Sequence, residues 1–519
     1  MRCIEWGWPA VIRRFGFAAV LYCLAAHGLA LAARPQYGGV LRVEFRAASV
    51  NLNPAKWKAG SAEFATNQRL AELLFDRLVA LDNYGKFQPQ LATEWSHDAA
   101  AKRWQFTLRQ GVKFSDGTAL TPADVVAALQ ALLPRGVEAT TSAAGVSIQS
   151  AAPAGDLLEL LSSGSYFIYK ESGSGLLQGT GPFVLESVSA GAPETDKAIG
   201  DGPAPQTQQL RFRVNENCWA GRPYLDAIEV TLGVSSLKAL LDLQLGKADL
   251  GELSLDTLKR AQQTSLKCWS SAPLTLFALR FSSDGKLEQE QRLREAISLS
   301  VDREAMARVL LQKQADAAAS FLPQWLSGYA FLFEAERNLE RAKELRAKTP
   351  PAVAGAAQLL RVTVDANNEL SKLIAERVAV DARAAGLTLQ TVRGNQHGLS
   401  DATGSKSEGE AQLITWRYTS LSPRSVLDSI RSPTRRPAGE PGVPLEADAR
   451  YAWEKQMMEE KNLLPLVVVP DFAAVDARVR NWLPSPWGEW RLADVWLEQS
   501  EASTGSRDTI TKSGVGRKP

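Results

Sequence analysis

The chain has 519 residues, 45% of them hydrophobic and 22% charged, with 38 Gly and 26 Pro. That composition belongs to folded globular proteins and excludes disordered, collagen-like and membrane-bundle classes, and the length allows roughly two to four domains. Fifty-nine basic residues against 57 acidic ones give a net charge of +2, which offers no electrostatic case for nucleic acid or an acidic membrane as partner.

The first thirty-two residues stand apart. Arg2, Arg13 and Arg14 face a single Glu5, residues 15–26 form an uncharged apolar run, and Ala30-Leu31-Ala32 supplies small residues where a signal peptidase needs them. The pattern predicts a signal peptide over residues 1–32 and a mature chain beginning at Ala33. An uncleaved anchor is the alternative, against which the run falls short of the ~20 apolar residues that a span requires. Cys23 lies inside the run, but Tyr22 before it is too bulky for a lipid-attachment motif. Removing residues 1–32 takes three basic and one acidic residue, leaving 56 of each. Two cysteines then remain, Cys218 and Cys268, which in an oxidising compartment either form one disulfide or stay as two separate buried thiols.

Along the mature chain, residues 40–46 read as a strand and Asn51-Leu52-Asn53-Pro54 as a turn. Leu70, Leu73, Leu74 and Leu78 recur at helical spacing within residues 62–81. Trp104, Phe106 and Leu108 alternate as in a strand, and Thr121-Pro122 with Asp124 predicts a capped helix start. Residues 139–179, rich in Ala, Ser and Gly, give no clear element, and residues 190–209 read as a surface loop. Strands are expected at 210–214, 227–232 and 274–281, with helices at 236–245 and, capped by Asp302, at 303–311. A strand at 359–364, a helix at 368–385 stopped by Gly386 and a strand at 387–392 form a βαβ pattern. Strands at 412–416 and 463–469 follow, and residues 498–519 read as a disordered tail. The mixture implies α/β lobes with mixed sheets.

Catalytic and metal-ligating constellations are absent from this pattern. The mature chain has two histidines, His97 and His397, and lacks CxxC, HExxH, P-loop and GxSxG motifs, so no cofactor or metal is expected. Gly179-Thr180-Gly181-Pro182 is better explained as a tight turn than as a phosphate loop, since Pro182 removes an amide donor. Ser235-Ser236-Leu237-Lys238 has the SxxK spacing of penicillin-recognising hydrolases but lacks their SDN and KTG partners, so a helix start is the plainer account. Twelve tryptophans in the mature chain suit core packing and an aromatic-lined ligand cleft.

Several stretches, in order, resemble family 5 of the bacterial extracytoplasmic solute-binding proteins of ABC importers, the oligopeptide-, dipeptide- and nickel-binding proteins. They are GGVLRVEFRAASVNLNP, LLFDRLVALDNYGKFQPQLATEWSHD, WQFTLRQGVKFSDGTALTPADVVAAL, GTGPFVL, LRFRVNENCWAGRPYLDAIEV, LREAISLSVDREAMARVLL with SFLP, and NLLPLVVVPDFAAVDARVRNW. Each is loose alone, but together they span residues 38 to about 494. The resemblance implies an α/β, two-lobed clamp of the periplasmic-binding-protein type (type II, large cluster with an extra subdomain), with two hinge-crossing strands at 274–281 and 463–469. Lobe I would comprise 33–57, 179–273 and 464–497, its shortened subdomain 58–178, and lobe II 274–463.

The implied function is capture of a peptide-like or other small solute between the lobes and delivery to an ABC permease, by a non-enzymatic, monomeric periplasmic protein that binds no nucleic acid. A non-transport sensor or peptide chaperone with the same clamp is the alternative, and an exported serine hydrolase the third. Peptide binders of the family carry an aspartate in a Trp-x-Ala-Asp-Tyr-like motif that pairs with the peptide's amino terminus. Here the segment reads Trp416-Arg417-Tyr418-Thr419-Ser420. The carboxylate is missing, and Arg417, with Arg424 nearby, would repel an ammonium group, which points to an anionic ligand. The site expectation is Trp416 as an apolar platform, Arg417 as an anion partner and Tyr418 as a wall, with Ser49 and Asn51 facing them. Alternatively Arg417 turns away from the cleft into a surface salt bridge.

Overall fold

Two long antiparallel strands organise the fold. A computed structural model describes residues 34–498 apart from 58–60, 62, 174, 192–206, 282–290, 350–359, 366–367, 395–409 and 432–441. The signal segment 1–32 with Cys23, His397 and residues 499–519 lie outside the described residues.

The main sheet contains β1 (Val40–Glu44), β2 (Phe183–Ala190), β3 (Gln208–Val214), β4 (Ala227–Leu232), β5 (Leu250–Leu253), β6 (Lys267–Phe281), β7 (Asp316–Ala317), β8 (Leu360–Asp365), β9 (Leu389–Gly394), β10 (Ala411–Arg417) and β11 (Leu463–Val475). Their order is β2-β3-β4-β1-β5-β11-β6-β10-β8-β9, with β7 beside β11. The β6–β11 pair runs from Lys267 opposite Val475 to Arg280 opposite Leu463. At one end β11 pairs with β5 through residues 472–475, and at the other β6 pairs with β10 through residues 275–281. The two strands therefore cross from one half of the molecule to the other, and both are longer than the predicted 274–281 and 463–469. Pro273, Pro465 and Pro470 sit where the register slips, as expected of a residue with no amide to give to a ladder.

This is an α/β, two-lobed clamp. Helix Pro122–Gln130 begins with the predicted capping box: Asp124 N–H donates to Thr121 Oγ1 (3.3 Å) and Thr121 N–H to Asp124 Oδ2 (2.9 Å). That helix lies by a four-stranded sheet made of Ala92–His97, Arg103–Leu108, Gly145–Ser150 and Val137–Ser142. Residues 137–150, most of them in the 139–179 stretch that gave no clear element, form a hairpin there.

The predicted helix over 62–81 is corrected. It occupies Phe64–Leu74, and Phe75 is extended. The amide of Gly181 donates to the Leu74 carbonyl (3.0 Å), and a Cβ on Gly179 would lie 2.0 Å from that same oxygen. The Gly179–Pro182 turn is thus packed onto the end of the helix. Beyond it the buried Asp76 accepts from Gln90, Thr180 and Trp219 at 2.7–2.8 Å, which fixes an extended exit. Helix Glu369–Ala384 buries Ile374 and Val378 and leaves Leu373 exposed.

Of the two alternatives for the cysteines, the structure has the separate thiols: Cys218 and Cys268 are both free and half-buried. Cys268 lies in β6 opposite Ala474 and packs against the core of β6, β10 and β11. Cys218 lies in the turn after β3, with its amide on Asn215 (3.1 Å). Burial raises both thiol pKa values above the usual range, which disfavours the reactive thiolates.

Candidate functional site

Four charged side chains converge beside the crossing of β6 and β11. Arg69 projects from helix Phe64–Leu74, Glu252 from β5, Arg417 from the end of β10 and Asp471 from β11. Arg417 donates Nη1 to Asp471 Oδ1 (2.8 Å) and Nη2 to Oδ2 (2.7 Å). Arg69 donates to the same carboxylate through Nη2, to Glu252 Oε1 through Nη1 (3.0 Å) and to the Gly488 carbonyl through Nε (3.0 Å). The side chains of Arg69 and Arg417 are 1% and 8% exposed, so this is a buried, charge-balanced quartet. Burial alone would raise the Asp471 pKa, but the two guanidiniums outweigh it and hold the group at about 2.

Aromatic rings surround the quartet. The Arg69 guanidinium lies 4.6 Å from the Trp490 ring centre, and Phe45 stacks on Trp490 at 4.8 Å. Trp487 packs on Trp325 at 5.1 Å, and Trp325 meets Tyr418 edge-on at 6.2 Å. The Trp325 indole donates to the Pro273 carbonyl (3.0 Å). The Trp487 indole N–H is buried and has no hydrogen-bond partner among the described residues. Gly488, between these tryptophans, has φ +92°, and a Cβ there would lie 2.8 Å from Arg417 Nη2. A glycine is required for the loop to approach the guanidinium so closely.

The predicted residues divide. Arg417 enters the quartet, in a salt bridge that is buried rather than on the surface. Trp416, its neighbour on β10, is 4% exposed and packs with Leu276, Ile414 and Tyr418 in an apolar core. Tyr418 is also buried and donates its hydroxyl to the Phe321 carbonyl (2.7 Å). Ser49 and Asn51 are exposed. Asn51 belongs to its own turn: its amide donates to Asn67 Oδ1 (2.9 Å), its side chain accepts from Asn53 N–H (3.0 Å) and its carbonyl from the Trp57 indole (2.6 Å). Sequence reasoning missed Arg69, Asp471, Trp325 and Trp487. The lone Asp471 in the apolar run Val467–Val475 was the available signal, because a charge in a buried strand needs a partner.

The hydrolase-like spacing has a structural explanation. Ser235 Oγ accepts from Lys238 N–H (3.3 Å) as the cap of helix Ser236–Gln244, and the Lys238 ammonium is bound to Asp242. Among the described residues no three His, Cys, Asp or Glu side chains could hold a metal ion, and no helix is long and apolar enough to cross a membrane.

The crossing strands, the paired lobes and a buried charged and aromatic cluster beside the crossing define a clamp of the binding-protein class. Residues 86–437 match the model of the bacterial extracellular solute-binding proteins, family 5, middle region, and the chain belongs to that family. Oligopeptide-binding protein AppA of Bacillus subtilis is 21% identical over 305 residues, covering 56% of this chain and 55% of AppA. The nickel-binding periplasmic protein of Escherichia coli is 23% identical over 414 residues, covering 72% of this chain and 75% of that protein. In three dimensions the fold is similar to AppA in complex with a nonapeptide, with TM-score 0.71, 16% identity and coverage of 90% of this chain and all of that one.

Proposed function

We propose that this protein captures a peptide-like or other small solute outside the cytoplasm and delivers it to the permease of an ABC importer. The observation that carries this reading is the family 5 match over residues 86–437. The relatives are an oligopeptide-binding and a nickel-binding protein, which leaves the chemistry of the ligand to the residues of this chain. Binding selects the closed arrangement of the lobes, and closure changes the surface offered to the permease. On this reading the protein is a periplasmic monomer without catalytic activity or affinity for nucleic acid, released from its 1–32 signal, with lobe I, subdomain and lobe II at the boundaries given above.

The finer reading is that the solute carries an anionic group. The support for it is the pair of guanidiniums, Arg69 and Arg417, at the strand crossing; Asp471 and Glu252 already balance them, so a ligand carboxylate binds here by displacing one of those two carboxylates. Tryptophans 325 and 487 supply the apolar wall. Native mass spectrometry of the protein purified from its own periplasm tests both parts. A co-purified acidic solute, whose uptake is lost when the gene is deleted, is the expected result. A cationic ligand would overturn the anionic reading alone, and unchanged uptake of the co-purified solute would overturn the transport reading.

A further inference from the structure

Two segments about 260 residues apart meet at Asp156. Residues 153–164 carry the short helix Leu157–Leu161, whose Leu157, Leu160 and Leu161 belong to the core beneath the four-stranded sheet. Residues 419–431 lead from β10 into helix Pro423–Arg431, whose Val426, Leu427 and Ile430 pack in a separate core with Trp416 and Tyr418. The contact between these cores is polar and direct. Asp156 Oδ2 accepts from Ser422 Oγ (2.5 Å) and Oδ1 from Arg424 Nη2 (2.7 Å), while Arg424 Nη1 reaches the Pro153 carbonyl (3.4 Å). Beside them the Leu421 amide donates to Ser163 Oγ (3.1 Å), which lies 3.4 Å from Ser420 Oγ. The backbones then touch: a Cβ on Gly164 would lie 2.6 Å from the Thr419 carbonyl oxygen.

We propose that this junction is a latch that biases the lobes toward the closed arrangement in addition to the ligand's own contacts, with Asp156 on one lobe and Ser422 with Arg424 on the other as its fastening. The geometry suits that task. Ser422 Oγ accepts from the Ser425 amide (3.1 Å), so it caps the helix that follows, and the Asp156 carboxylate therefore meets the positive end of helix Pro423–Arg431 as well as a guanidinium. The side chains of Asp156 and Arg424 are 12% and 31% exposed. The pair is shielded enough to be directional, yet wet enough that separation leaves neither charge stranded in an apolar core. An apolar junction of the same size would resist rehydration, whereas this one can break and re-form. The proposal goes beyond the transport reading and does not depend on the identity of the solute.

The test measures lobe separation directly. In the mature chain with Cys218→Ser and Cys268→Ser, spin labels are placed at Glu138→Cys and Arg383→Cys, both exposed positions outside the junction. Distance distributions are recorded by double electron–electron resonance with no solute added. Asp156→Ala and Arg424→Ala are each expected to raise the open-to-closed ratio about tenfold, the scale of one charge-assisted hydrogen bond, and the double variant is expected to add little more. The charge exchange Asp156→Arg with Arg424→Asp is expected to recover part of the closed population. Distributions unchanged from the parent, or additive effects with no recovery on exchange, would overturn the latch. Should Asp156→Ala fail to fold, Arg424→Gln and the exchanged pair give the same decision.

Discussion

Asp471 receives both terminal nitrogens of Arg417, at 2.8 and 2.7 Å, and shares its Oδ2 with Arg69. One carboxylate on β11 thus ties together helix Phe64–Leu74, from the first part of the chain, and the end of β10. Because both guanidiniums are buried and the carboxylate is largely so, the arrangement responds sharply to the loss of any one of them.

Asp471→Asn removes the charge that both guanidiniums require. Breaking a buried pair in this way costs about 3–5 kcal/mol, so a large drop in denaturant midpoint is expected at pH 7. The wild type also has a defined acid limb. The Asp471 pKa is about 2 in the folded protein, below the unfolded value, so its contribution is complete above about pH 4 and lost as pH falls toward 2. Equilibrium unfolding from pH 6 to 2.5 should show this loss in the wild type and a shallower slope in Asp471→Asn. Equal slopes would contradict the assignment.

Glu72 has the opposite sign. Burial, and then repulsion from Glu489, raise its pKa to about 8 despite Arg77 nearby. A carboxyl group whose folded pKa lies above the unfolded value stabilises fully below about pH 4 and loses that contribution as pH rises to about 8. Glu72→Gln mimics the protonated form, so its melting temperature is expected to exceed that of the wild type at pH 8 and to match it near pH 4. A lower melting temperature for Glu72→Gln at pH 8 would show that the carboxylate is needed in its charged form.

Gly179→Ala tests the turn packed on the helix end. The new Cβ would meet the Leu74 carbonyl at 2.0 Å and a Phe75 ring carbon at 2.4 Å, and backbone cannot yield as a flexible side chain can. A loss of about 2–3 kcal/mol in chemical denaturation is expected, the upper range for overpacking. A neutral outcome would mean that the turn and the helix end are not in contact.

Ser235→Ala separates a cap from a nucleophile. Loss of the hydrogen bond from the Lys238 amide should cost about 1 kcal/mol of stability. The wild type is expected to resist a mechanism-based acylating probe. Labelling that disappears in Ser235→Ala would revive the hydrolase alternative.

Patterns that depend on neighbours in sequence were legible without coordinates. The Thr121–Asp124 capping box, the Asp302 cap and the apolar strands around residues 274–281 and 463–469 all follow from local chemistry or from periodicity. The family resemblance extended this to the two-lobed clamp. The helix end at Leu74 was illegible because it is set by Gly179 and Gly181, more than a hundred residues away, and by the partners of Asp76.

The site was legible only in part, for the same reason. The chain by itself pointed to α/β lobes, and the resemblance drew attention to the segment Trp416–Ser420, in which Arg417 stands where a carboxylate was looked for nearby. It could not assign a counter-charge to Arg417, because strand pairing alone brings residue 471 to residue 417 and helix packing alone brings Arg69 to both. Alternation along β10 then separates Trp416 from Arg417, placing the indole in the apolar core and the guanidinium in the buried quartet. Which charges are free and which are already balanced is a property of three-dimensional proximity, and that is what the tertiary structure decided.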